Sequence, residues 1–111
     1  MALITAESST GLTLMDRAPL AVQEFVLRKG LSSDLGEAVS VASQVFDVAG
    51  PVSLSVEEDP DISESWIEIN VSARGSVDEV MKAHERYTER LLSLPATSAR
   101  QIRLFLHIAR D

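Results

Sequence analysis

Three groups of residues have types suited to chemistry or binding: the histidines His84 and His107, the acidic run Glu57-Glu58-Asp59 with Asp61 and Glu64, and an alternating set made of Trp66, Glu68, Arg103, Phe105 and His107. Histidine pairs serve acid–base catalysis or metal ligation when they share a site. His84 falls in an apolar stripe with helical spacing, and His107 falls in an alternating run that points away from that helix. A sheet between them keeps them from a common metal or substrate, so His84 reads as a residue at the core boundary. The acidic run offers hard oxygen ligands, but it lacks the spacing and sharp-turn glycine of a calcium loop. It reads as a solvated hairpin tip, where paired carboxylates lack the shielded pocket that acid–base work needs. No phosphate-loop, dinucleotide, nucleophile-elbow or zinc-protease motif is present. The sequence assigns no catalytic, metal-binding or cofactor-binding residue.

The alternating set belongs to a face. Ser53, Ser55 and Glu57, then Trp66, Glu68, Asn70 and Ser72, then Arg103, Phe105 and His107 all fall opposite the aliphatic positions of their runs. One reading is a solvated face, with Arg103 and His107 paired to Glu57 and Glu68 across strands. Another is an interface for a protein partner or a second copy, since exposed aromatics and arginine are enriched where proteins bind. A platform for single-stranded RNA is opposed by Glu57 and Glu68, which repel phosphate.

The elements that carry these residues follow from periodicity. Residues 1–15 read as an N-terminal arm, with Gly11 to Met15 able to add an edge strand, and 16–111 as a single domain. Asp16 stands as an N-cap before a short helix over 18–29, with Arg28, Lys29 and Gly30 at its end. A second helix, capped by Ser32 or Ser33, carries Leu35, Ala38, Val39, Ala42, Val45, Phe46 and Ala49 before Gly50-Pro51 stops it. Strands over 52–57 and 66–73 flank the acidic loop. Ser76 and Glu79 form a capping box for a third helix that runs to about Leu94, with Pro95 beyond it. The last strand spans 101–110. The fold class is therefore α+β in the order ααββαβ, with helices on one face of a three-stranded sheet. A one-sided sheet favours an all-antiparallel arrangement of order 2-1-3.

Composition narrows the function classes. The chain of 111 residues is 45% hydrophobic, enough for one core, and lacks cysteine, which removes disulfides, thiol catalysis and zinc fingers. Its net charge of −7 opposes nucleic-acid binding; a basic partner is electrostatically easier, but acidity also serves solubility, and that is the reading the composition favours. The charge is uneven: residues 1–73 hold three basic residues against twelve acids. No apolar run approaches a membrane span, and the N-terminus lacks the basic region of a signal peptide. The expected location is cytoplasmic.

The segments Glu57-Glu-Asp-Pro60, Ser65-Trp-Ile-Glu-Ile-Asn-Val71 and Gly75-Ser-Val-Asp-Glu-Val80 resemble a pattern of small uncharacterised bacterial proteins, in which an EDP turn precedes a W-[IL]-x-[IL] strand and a G-x-V-[DE]-E-V helix start. The resemblance covers about the C-terminal half, extends to Phe25–Leu31, and implies a bacterial stand-alone protein without transferring catalytic residues. The function expected is a non-enzymatic interaction, regulatory or accessory module. The alternative is a small enzyme or ligand-binding protein with a pocket between the sheet, the third helix and the arm, where His84, Tyr87 and nearby carboxylates are the candidates.

Overall fold

The side chains of Ile67, Ile69, Val71 and Ala73 alternate along one strand, and none is more than 2% exposed. A strand so completely covered on its apolar side belongs in the middle of a sheet, and that is where it lies. The computed structural model describes residues 18–109. Two helices, α1 (Leu20–Lys29) and α2 (Ser32–Val45), precede a hairpin of β1 (Ser53–Asp59) and β2 (Glu64–Ala73). Helix α3 (Val77–Arg90), a 3-10 turn (Leu91–Ser93) and the short helix α4 (Ala96–Gln101) lead to β3 (Ile102–Ile108).

The sheet is mixed, in the order β1-β2-β3. β1 pairs antiparallel with β2, Leu54 opposite Ile69 and Val56 opposite Ile67. β3 pairs parallel with β2, Ile67 beside Ile102 and Val71 beside Leu106. The class α+β holds, whereas the expected order 2-1-3 and the all-antiparallel sheet do not. The reason is burial: β1 and β3 carry partly exposed aliphatic residues, Val56 on one and Leu104, Leu106 and Ile108 on the other. Placing β2 at an edge would have stripped cover from the most apolar strand. The helix–strand order also gains α4, which makes it ααββααβ.

Local chemistry explains most element boundaries. Gly30 closes α1 in the left-handed conformation (φ 67°), and its N–H and that of Leu31 return to the last turn. The Ser76 Oγ accepts from the Glu79 N–H (3.1 Å) and the Glu79 carboxylate accepts from the Ser76 N–H (2.8 Å), completing the box that starts α3. The hydrogen bond from the Ser76 backbone holds the Glu79 carboxyl below its usual pKa. Helix α2 ends at Val45, four residues short of Ala49. There Phe46 turns extended and buries its ring, while Val48 forms an antiparallel bridge with Ala73. Those tertiary contacts outweigh the helical preference of the segment. The Asp16 cap, the Gly11–Met15 strand and the arm over 1–15 lie outside the described residues.

All four helices contribute to the inner side. Val22, Phe25 and Val26 of α1, Leu35, Val39 and Ala42 of α2, and Val80, Ala83 and Tyr87 of α3 join the inner residues of the strands in one core. Ser98 of α4 is buried and donates to the Asp34 carboxylate in the first turn of α2, which fastens α4 beneath the sheet. No helix among the described residues is long and apolar enough to cross a membrane. The strand order predicts unequal costs of truncation. Ile69→Ala should lose about 3–4 kcal/mol in urea unfolding and Leu104→Ala about 1–2 kcal/mol, because only the first leaves a closed cavity. Equal losses would contradict the central position of β2.

Candidate functional site

The register assembles the outward residues into rows. Ser55, Glu68 and Arg103 form one row, and Ser53, Asn70 and Phe105 the next. Glu57 lies opposite Trp66 at the hairpin end, and Ser72 beside His107 at the other end. Trp66, Glu68, Arg103, Phe105 and His107 thus share one face, opposite the core.

Within that face the cations are not placed as cross-strand reasoning expects. Arg103 lies beside Glu68 in the register, yet its guanidinium donates to the Glu64 carboxylate at 2.6 Å and to the Arg100 carbonyl at 3.2 Å. The same guanidinium lies flat over the Trp66 ring, 3.9 Å from the centroid. The indole is thereby half-buried, which resolves much of the cost of leaving it on an open face. Phe105 has no such cover and is 55% exposed. His107 is exposed and, among the described residues, takes part in no ion pair.

The acidic hairpin is a turn device. The Asp59 carboxylate accepts the Asp61 N–H at 3.0 Å, and Ser63 takes a left-handed conformation (φ 54°) to re-enter β2. Among the described residues no group of histidine and carboxylate side chains could hold a metal ion. His84 lies on α3, on the core side of the sheet, half-buried beside Tyr87 with ring centroids 6.4 Å apart. His107 lies on the opposite face, so the two histidines are separated. The Tyr87 hydroxyl is buried with no hydrogen-bond partner among the described residues. Burial pushes the phenol up to a pKa of about 12.

A concave site on the core side of the hairpin brings Arg28 and Lys29 from α1 to Arg100 from α4, and no periodicity in the sequence marks it. The first two read as partners for a helix end, and α4 itself was not expected. Its signal is Pro95-Ala-Thr-Ser-Ala-Arg-Gln101, a proline followed by residues that can form one short helix. Comparison with protein-family models, curated proteins and solved structures returned no match.

Two measurements follow. Trp66 is the single tryptophan of the chain, so fluorescence reports on it alone. Arg103→Ala should shift its emission to the red, and the pair should show a coupling of about 1 kcal/mol in a cycle with Trp66→Ala; unchanged emission would contradict the stack. Tyr87 is the single tyrosine, and its folded pKa lies above the ordinary value of 10.0. Its contribution to stability is complete below pH 10 and is lost as pH rises toward about 12, because the unfolded chain ionises first. An ultraviolet titration that finds the native phenol ionising near 10 would contradict its burial.

Proposed function

We propose that this chain is a non-enzymatic association module, and that the surface it uses is the β3 side of the outward sheet face, joined to a second copy of itself. What supports this reading is the contrast between the two edges of the sheet. The β1 edge carries Glu57, Glu58 and Asp59 and runs into Pro60, and charges and proline are devices that keep strand edges from pairing. β3, Ile102-Arg-Leu-Phe-Leu-His-Ile108, has no carboxylate, proline or lysine, and no neighbour on its free edge among the described residues.

The side chains along that edge reinforce it. Leu104, Leu106 and Ile108 point toward the core yet stay partly exposed, and Phe105 stands out on the other side. A strand with an aliphatic inner side and an exposed phenylalanine on its outer side, between Arg103 and His107, suits pairing with another strand at an open edge. A second β3, related by a two-fold axis, would run antiparallel to the first and present the same residues, which gives a closed, self-complementary interface. It would also continue the outward face, with Trp66 and Arg103 flanking the junction. A regulatory or accessory role is the kind of function that such a module serves.

Sedimentation equilibrium tests this reading. The chain should dimerise in the micromolar range, and Phe105→Glu should weaken the dimer at least about tenfold by placing a charge in the interface. Leu92→Glu, at a residue 77% exposed and away from the sheet, serves as the control and should leave dimerisation unchanged. A monomer at all concentrations would overturn the proposal. Open-ended polymers would too, since they would point to pairing of β3 with the acidic β1 edge of the next copy.

A further inference from the structure

A cleft of about 340 Å³ opens between the end of α1, the start of β2 and α4. Phe25, only 2% exposed, forms part of its wall. Two cations lean over that ring: the Arg28 guanidinium carbon lies 5.5 Å and the Lys29 ammonium 5.9 Å from its centroid. The third, Arg100, comes from the last turn of α4. In a chain of net charge −7, three basic residues meet in one concavity.

Among the described residues no ion pair neutralises these cations. The ion pairs among the described residues are Arg74 with Asp47 and Arg103 with Glu64, and neither involves Arg28, Lys29 or Arg100. The one carboxylate that lines the cleft is Glu64, and Arg103 already holds it at 2.6 Å. Ser65 and Thr97 add hydroxyl groups to the lining. The negative end of the α1 dipole takes up about half a charge of this field, which leaves the greater part uncompensated. Position is fixed from behind: Ser98, buried and bonded to Asp34, sets the orientation of the short helix that presents Thr97 and Arg100.

We propose that this cleft binds a small phosphate monoester of the size of a sugar phosphate or mononucleotide. Two guanidinium groups and an ammonium match a dianion better than a single carboxylate, and arginine forks fit tetrahedral oxyanions through paired N–H donors. The volume lies at the small end of the range for metabolite sites. A long polyanion is disfavoured by the net charge of −7 that the chain as a whole carries. This site is separate from the β3 edge and does not depend on association.

The test is an amide NMR titration at low ionic strength with inorganic phosphate, glycerol phosphate and adenosine monophosphate, repeated with a single-stranded oligonucleotide. The organic phosphates should give saturable shifts confined to residues 25–30, 63–66 and 97–101. Arg28→Gln with Arg100→Gln should weaken binding at least about tenfold, and Lys29→Gln alone should weaken it less. Arg86→Gln with Arg90→Gln, on α3, should leave it unchanged. Unchanged spectra outside the cleft would show that the variants fold. No saturable shift with any phosphate, equal affinity in the double variant, or tighter binding of the oligonucleotide than of the mononucleotide would each overturn the proposal.

Discussion

The structure depends on the cover given to β2. Its inward residues Ile67, Ile69, Val71 and Ala73 join the buried residues of the three longer helices in one core, and strands pair along both of its edges. Full burial of one Ile or Val side chain contributes roughly 1.5–3 kcal/mol, so this strand holds a large share of the apolar stabilisation. The constraint settles the rest of the topology. β3 must return parallel to β2 on the edge that the hairpin leaves free, and the passage back requires α3, the 3-10 turn and α4 on the core side. The outward face and the β3 edge are what remains after that demand is met.

Strand parity was legible in the sequence because a buried face with period two admits one register only. Residues 67, 69 and 71 had to point inward, and the outward grouping of Trp66, Glu68, Arg103, Phe105 and His107 followed. The capping box at Ser76 and Glu79 was equally plain, being a local hydrogen-bonding pattern. The order of the strands was not, because it turns on which of two neighbours leaves β2 better covered, a comparison of burial that alternation does not express. The early end of α2 was hidden for a similar reason. Nothing between Val45 and Ala49 breaks a helix, and the bridge from Val48 to Ala73 that draws the chain away is made with a distant residue.

The cleft was hidden more deeply. Arg28 and Lys29 are ordinary residues for a helix end, and Arg100 lies far along the chain within a helix too short to show a period. Only packing, through Phe25 and the bond from Ser98 to Asp34, brings them into one concavity. The placement of Arg103 shows the same limit at smaller scale. Register puts it beside Glu68, but the Trp66 ring and Glu64 together offer it a flat surface and a charge partner at once. The solvated and associating readings of the outward face therefore part at Phe105, whose ring has no such neighbour.

The central claim is that β3 is an edge left open for a second copy, and hydrogen exchange at the β3 amides tests it most directly. Pairing between copies predicts that amides on the free edge, within residues 102–108, exchange quickly in dilute solution and become protected as the protein concentration rises. Protection would grow in step with the dimer fraction, while β2 stays protected throughout. Exchange at β3 that is independent of concentration would contradict the account. Constant protection that disappears when residues 1–15 are removed would show instead that the chain covers its own edge.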